Sequence, residues 1–224
     1  MKKIVFTPVL AAIVLVAFAS CRHVGKGVEG SGVRKTEKRD VGAFKSIQTT
    51  GAYEIQVTCQ QAASFEIEAD DNILPLIRTS VHDGMLNISN DTGYHASKAV
   101  IVRISVPDLE AVATHGAGDI RITDVKNDQL TVNSTGAARI EAVGQTKTVN
   151  IQTTGAGKID TSRLRAERAK VTVTGAGSVE VYASEQLDAT VSGIGKVVYD
   201  GNPGVVNKSV SGIGSISKRE RGSE

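Results

Sequence analysis

The sequence predicts an all-β protein whose main body is a parallel β-helix (solenoid) of about 19-residue coils with an N-terminal β cap. Three observations predict this fold. A Gly-x-Gly-x-Ile pattern recurs at a nearly constant spacing, apolar and polar residues alternate between its copies, and Gly is abundant. With 23 Gly and only 4 Pro among 224 residues, the composition is typical of a turn-rich β protein and not of a Pro-rich disordered chain.

Residues 1–20 have the features of an export signal. Lys2 and Lys3 form a basic start, residues 4–19 are apolar and uncharged, and Ala19 and Ser20 form a small-residue junction. The apolar run is too short to span a bilayer comfortably, and no stop-transfer segment follows it. We therefore expect export and not a transmembrane helix.

Cys21 directly follows these small residues, and the junction resembles the bacterial lipobox, although Phe18 stands where that signal usually has Leu. The resemblance implies that Cys21 is diacylated, that the leader is cut before it, and that the new amino group is acylated. Several acyl chains together make a stable membrane anchor. The alternative is plain secretion with cleavage near Ala19. The Gly-rich stretch that follows predicts a flexible tether over residues 21–39.

Residues 40–110 are expected to form the N-terminal β part of the domain. Alternating apolar residues predict strands at 54–57, 65–69, 85–88 and 100–104. His82-Asp83-Gly84 predicts a hairpin turn, and residues 70–77 predict a bend with a single helical turn. These strands should cap the first coil of the solenoid, which would otherwise present an open edge.

Residues 111–217 contain six near-copies of one unit, each beginning its motif with a glycine at a nearly constant spacing. These first glycines are Gly116, Gly136, Gly155, Gly175, Gly193 and Gly212. A unit this short cannot bury an apolar face alone, so neighbouring units must stack. We expect equivalent strands to hydrogen-bond in parallel register. The charged tail at 218–224 should discourage further stacking.

Aligning the units on the first glycine gives columns of equivalent residues. Four residues after it the column is apolar and β-branched, as a buried ladder should be: Ile120, Ile140, Ile159, Val179, Val197 and Ile216. Directly before it lie His115, Thr135, Thr154, Thr174, Ser192 and Ser211. This hydroxyl row is expected to hydrogen-bond along the stack. The paired glycines should mark corners, and Ala138 must occupy a corner conformation that Ala can adopt.

A charged strip is predicted on the outer face, five residues after each first glycine. It consists of Arg121, Glu141, Asp160 and Glu180, followed by Val198 and Ser217. One interpretation is a solvated face with weak ion pairs. The other is a catalytic strip, because polysaccharide lyases and hydrolases place carboxylates, or a carboxylate and a basic group, along one groove.

Composition argues against several classes of site. Without Lys2 and Lys3, 24 basic residues balance 24 acidic ones, so binding of nucleic acid by phosphate neutralisation has no support. The chain has no Trp and 4% aromatic residues, which disfavours a sugar-stacking cleft. The four His residues are scattered without ligand spacing, so we expect no metal and no cofactor. Cys59, in a strand-like run, is expected to be a small buried hydrophobe.

The ordered motifs resemble those of a known family. They are Phe44-Lys45-Ser46-Ile47, Glu54-Ile55-Gln56-Val57, Ala69-Asp70-Asp71-Asn72-Ile73-Leu74, Asp83-Gly84-Met85-Leu86, Val106-Pro107-Asp108-Leu109-Glu110 and the Gly-x-Gly-x-Ile repeats. In this order they resemble the head GIN domain family, and the resemblance covers residues 40–217. It implies a β-helix-like solenoid and adhesion, often as an exported lipoprotein of Gram-negative bacteria. The family brings no catalytic residues that could be carried over.

The expected function is therefore that of an exported, lipid-anchored cell-envelope protein acting as a non-catalytic binding or adhesion module. Its expected partners are the membrane, through lipid on Cys21, and a surface protein or glycan, but not nucleic acid. The outer membrane is the expected location, because Arg22 stands where an Asp commonly retains lipoproteins at the inner membrane. The alternative is a polysaccharide lyase or hydrolase on a β-helix scaffold, with Arg121, Glu141, Asp160 and Glu180 as its candidate site.

Overall fold

The computed structural model describes residues 27–220, and almost all of its regular structure is β-strand. The strands are β1 Val28–Glu29, β2 Arg34–Lys38, β3 Ser46–Thr58, β4 Ser64–Asp70, β5 Ile77–His82, β6 Met85–Asn90, β7 Tyr94–His95, β8 Ile101–Ser105, β9 Ala111–Gly155, β10 Lys158–Thr161, β11 Leu164–Gly175, β12 Ser178–Tyr182, β13 Gln186–Gly193, β14 Lys196–Asp200, β15 Val205–Gly212 and β16 Ser215–Lys218. A 3₁₀ turn spans Leu74–Leu76. The prediction of an all-β fold is confirmed.

Fourteen strands form one long sheet, which has two branches. One branch runs in the order β16-β14-β12-β10-β9-β3-β8-β4-β2, and the other passes from β15 through β13 and β11 to β9. From β3 to β16 the pairings between successive repeats are parallel. Strands β3 and β9 belong to both branches, because each bends and continues past its first glycine.

The predicted apolar ladder is present, and its register follows the glycine alignment. Along the sheet the direct partners are Ile140, Ile159, Val179, Val197 and Ile216, in that order. Ile159 and Val179 are completely buried. Equivalent β-branched residues thus pack on one another from repeat to repeat, as the period of the sequence predicts.

A seventh copy of the glycine motif lies in the N-terminal half, where the sequence interpretation identified strands but no such copy. Gly51 pairs with Gly116, and Ile55 pairs with Ile120, in an unbroken parallel register along β3 and β9. The underlying motif, Gly51-Ala52-Tyr53-Glu54-Ile55, matches Gly116-Ala117-Gly118-Asp119-Ile120 except at its third and fourth residues.

The first glycine of each unit is required by close approach of the neighbouring repeat. Gly155 has φ +120°, and a Cβ on it would lie 2.5 Å from the carbonyl oxygen of Gly136. An L side chain would therefore be both strained and obstructed by backbone. Ala138, one residue beyond the corner's centre, has no positive φ. The prediction that this corner suits Ala is confirmed.

A column of buried hydroxyl groups, not foreseen from the sequence, runs two residues before the first glycines. It consists of Thr49, Thr114, Ser134 and Thr153, all 2% exposed. The Thr49 hydroxyl donates to the Thr114 hydroxyl over 3.2 Å. In later repeats the equivalent residues are Val173 and Val191. The row directly before the glycines is instead exposed, and within residues 27–220 it forms no side-chain hydrogen bonds along the stack.

In the N-terminal β part, β6 and β8 pair with β3 in parallel, and further strands add to them in antiparallel fashion. Strand β6 extends the branch that contains β11, β13 and β15, and a turn at Asp83-Gly84 connects it to its antiparallel partner β5. Strands β8, β4 and β2 extend the other branch. The predicted hairpin and the helical turn near residue 75 are confirmed. The outermost strand β2 carries Arg34, Lys35, Glu37 and Lys38, and such charges protect an exposed edge.

Strand β2 lies inside the segment expected to be a flexible tether. It forms because Lys35 and Glu37 pair with Ala69 and Ile67 of β4, and because the Arg34 guanidinium donates to the carbonyl oxygen of Ala99 over 2.9 Å. Ordered chain therefore begins well before residue 40. The leader, Cys21 and the first part of the tether lie outside the described residues.

The opposite end of the sheet is less covered. Strand β15 is exposed along its whole length, including Val206 and Val210. The Lys208 side chain partly closes this end, because its Nζ lies 4.7 Å from the centre of the Tyr199 ring.

Candidate functional site

The structure brings three members of the charged strip together on adjacent parallel strands. Glu141 of β9 pairs with Asp160 of β10, which in turn pairs with Glu180 of β12. Arg121 lies on β9 beside Gln56 of β3. Strands position these side chains on the outer face because alternate residues, such as Ile159 and Thr161, point into the core.

Each carboxylate of the strip already has a polar partner. Glu141 accepts from Arg121 over 3.3 Å and also pairs with Arg163. Glu180 pairs with Lys158 over 3.3 Å and with Arg219. The carboxylates of Glu141 and Glu180 are thus each engaged by two neighbouring cations.

Asp160, the central residue of the strip, is bound within its own turn. Its Oδ1 accepts from the Ser162 hydroxyl over 2.7 Å and from the Ser162 amide over 3.0 Å. The arrangement therefore favours the interpretation of the strip as a solvated face with ion pairs. Most of the cations are well exposed, so each pair contributes little to stability.

A shallow groove of about 530 Å³ lies at the N-terminal end of the strip. Arg121 and Glu141 line it, whereas Asp160 and Glu180 do not. Its other charged residues are Glu54, Asp119 and Arg139, and Arg139 lies 3.7 Å from Asp119. The sequence interpretation missed these three residues because it followed one column only. They lie in the neighbouring exposed column, three residues after each first glycine.

Apart from Tyr199, the buried ionisable groups of the described chain lie in its N-terminal half, and they serve the fold. Burial raises the pKa of the Cys59 thiol to about 11, which leaves it protonated and unreactive at neutral pH. The expectation that Cys59 is a small buried hydrophobe agrees with its 2% exposure. Hydrogen bonds from the Ser97 hydroxyl, 2.5 Å, and amide, 2.7 Å, lower the pKa of the fully buried Asp70.

Among residues 27–220, no group of three or more His, Cys, Asp or Glu side chains is arranged to hold a metal ion. In the same range no helix is long and apolar enough to cross a membrane. Cys21, the predicted lipidation residue, precedes this range.

Comparison with solved structures relates this fold to bacterial proteins. A "putative adhesin" from Bacteroides fragilis aligns over 86% of this chain and all of its own, with 24% identity and a TM-score of 0.66. One from Parabacteroides merdae aligns over 86% of this chain and 99% of its own, with 20% identity and a TM-score of 0.61. A "putative lipid binding protein" from Parabacteroides distasonis has the same coverage and identity and a TM-score of 0.53. At these identities the likeness concerns the fold alone.

No curated protein matches the chain in sequence. The family model described as "Putative auto-transporter adhesin, head GIN domain" matches residues 43–203, which is most of the chain and nearly all of its regular structure. This match agrees with the motif order of the N-terminal half and with the repeats that follow it. The chain belongs to the head GIN domain family of adhesin-like proteins.

Proposed function

We propose that this protein is exported to the cell envelope, is anchored there by lipid on Cys21, and acts as a non-catalytic binding module. The observation that carries the proposal is the charged strip: Arg121, Glu141, Asp160 and Glu180 form an ordered wall on the outer face of successive repeats, and each carboxylate is already engaged by an ion pair or a hydrogen bond. Such a wall suits recognition of an extended partner more than proton transfer. Membership of an adhesin-like family supports the same function.

The wall gains its rigidity from a closed parallel β-helix. Each repeat contributes three buried stretches, and in one repeat these are Val149 to Thr153, Ile159 to Thr161, and Leu164 to Ala166. Three inward-facing stretches per repeat are what a three-sided solenoid requires. Side chains on its outer faces are then held at fixed intervals of about 4.8 Å from one repeat to the next.

The lipid anchor would hold the N-terminal cap towards the membrane. Gly27, which begins the described chain, follows Cys21 closely in the sequence. Even a fully extended connection of this length reaches at most about 20 Å. The repeats would then project outwards, with β15 and β16 farthest from the bilayer. The outer membrane is the proposed location, on either its periplasmic or its external face.

The test is retention. The exported Cys21→Ala protein is immobilised, and envelope glycans and extracellular matrix proteins are passed over it. The proposal predicts saturable binding of at least one of these partners, recovered at its original length. A glycan recovered in shortened form would support the lyase or hydrolase instead and would make the strip the place to mutate. Absence of saturable binding by the whole set would contradict the proposal.

A further inference from the structure

A second cleft lies on a different face from the charged strip. Its volume is about 580 Å³. It is built from equivalent segments of successive repeats, residues 126–128, 145–147 and 165–167, with Tyr182 and Ser184 from the repeat that follows. The register places Arg165 directly beside Gln145 on the neighbouring strand.

Arg165, which lines this cleft, is exceptional among the arginines that the structure describes. Residues 27–220 contain ten arginines, and nine of them form an ion pair with a carboxylate. Arg165 forms none there. Its guanidinium instead lies 4.5 Å from the centre of the Tyr182 ring. The face of the ring attracts the guanidinium, and none of its N–H groups donates a hydrogen bond within the described chain.

Two more groups in the cleft lack a partner in the described chain. Lys126 forms no ion pair, whereas its neighbour Lys147 is 2.8 Å from Asp128. The Asn127 amide donates to the carbonyl oxygen of Leu109 over 2.6 Å, but its Oδ1 is buried and accepts no hydrogen bond. Because that oxygen is shielded from solvent, Lys126 is the one of these two groups that a ligand can reach.

We infer that this cleft binds a carboxylate-bearing polysaccharide, and this inference rests on the proposed binding function. The Arg165 guanidinium receives one sugar carboxylate in bidentate fashion, and Lys126 receives the carboxylate of another unit. Sugar hydroxyls donate to the carboxylates of Asp128 and Glu167. Repeats about 4.8 Å apart present these groups at intervals similar to the length of one pyranose unit.

The mixture of charges favours an acidic glycan over nucleic acid or another polyphosphate. Asp128 and Glu167 line the same cleft as Lys126, Lys147 and Arg165. Two carboxylates would find few hydroxyl donors on a nucleic acid or polyphosphate, whose backbone presents mainly phosphate acceptors. They are instead acceptors for sugar hydroxyls. Gln145, Thr146 and Ser184 add neutral hydrogen-bonding groups, as a hydroxyl-rich ligand requires.

The experiment titrates the exported Cys21→Ala protein with polygalacturonate, alginate and hyaluronan, and with the same polymers after methyl esterification. Arg165→Gln removes the charge but retains most of the length of the side chain. Lys170→Gln is the matched control, because Lys170 is an exposed cation on the same strand, away from the cleft. Equal melting temperatures of the variants establish that both fold.

The inference predicts that at least one acidic polymer binds, that its ester does not, and that Arg165→Gln weakens binding about tenfold or more, since a charge-assisted hydrogen bond is lost. Lys170→Gln should leave the affinity unchanged. Equal weakening by both variants, equal binding of acid and ester, or no binding of the three polymers would overturn it. If none of the three polymers binds but another envelope partner binds saturably, the inference fails and the proposed function stands.

Discussion

Ile140 and Ile159 are direct partners on parallel strands, although they belong to different repeats of the sequence, and neither is exposed. The same relation links each member of the ladder to the next. Stability is therefore shared between neighbouring repeats, since no single unit buries its own apolar face.

A charge in this ladder should unfold the repeats. Ile159→Asp places an unpaired carboxylate in a fully buried position, and the cost approaches the whole stability of a typical domain, about 5–15 kcal/mol. We expect the cooperative thermal transition to disappear in circular dichroism. Gln152→Asp, at an exposed position of β9, is the control and should melt like the unchanged protein. Normal melting of Ile159→Asp would disprove the assigned register.

The corner glycines should be intolerant of a side chain. Gly155→Ala combines a strained positive φ with a contact against the Gly136 carbonyl, so we expect a loss of about 1–3 kcal/mol or more in urea unfolding. Gly93 has open space around the position of a Cβ, and Gly93→Ala should change stability by less than about 0.5 kcal/mol. Equal effects of the two substitutions would contradict the close approach of repeats at the corner.

Much of this architecture follows from the sequence because the repeat forces equivalent residues into one register. The spacing of the repeated motif in the sequence is enough to identify the first glycines and the ladder from Ile120 to Ile216. The unit at Gly51 was missed even though Gly-Ala-x-x-Ile is visible there, since it lies several periods before Gly116 and not one period away. The strands between the two units, β4 to β8, form the cap, which contains the antiparallel pairs β4–β8 and β5–β6.

The candidate sites were harder to predict for a physical reason. The strip lies on regular strands, so the alternation of apolar and polar residues alone indicated that Glu141 and Asp160 face outwards. The second cleft lies where repeats differ in length, and simple column alignment does not bring Arg165 and Tyr182 together. The buried hydroxyls of Ser134 and Thr153 were missed because polar residues in a strand ordinarily indicate an exposed face.

Acid should weaken the N-terminal cap through Asp70. Its folded pKa lies below the ordinary value of about 3.9, so its contribution is present above that pH and is lost as pH falls through the folded pKa. Asp70→Asn should therefore be less stable than the unchanged protein at pH 6, with the difference shrinking below about pH 4. Urea unfolding of both proteins between pH 2 and 6 measures this difference in the free energy of unfolding. A difference that stays constant with pH would contradict the role assigned to the Asp70–Ser97 bonds.

The two cysteines should behave differently in the cell. Cys21→Ala removes the proposed lipid site and should move the protein from the membrane pellet to the soluble fraction after cell fractionation. Cys59→Ala, a change at a buried residue, should leave it in the pellet. Membrane association that survives Cys21→Ala would disprove the lipid anchor.

The most direct test of the account measures binding and cleavage together. Light scattering coupled to size-exclusion chromatography reports the molar mass of an acidic polysaccharide before and after incubation with the protein. A non-catalytic binding module predicts that protein and polymer elute together and that the polymer keeps its mass. A fall in polymer mass that depends on the protein would contradict this account and identify an enzyme.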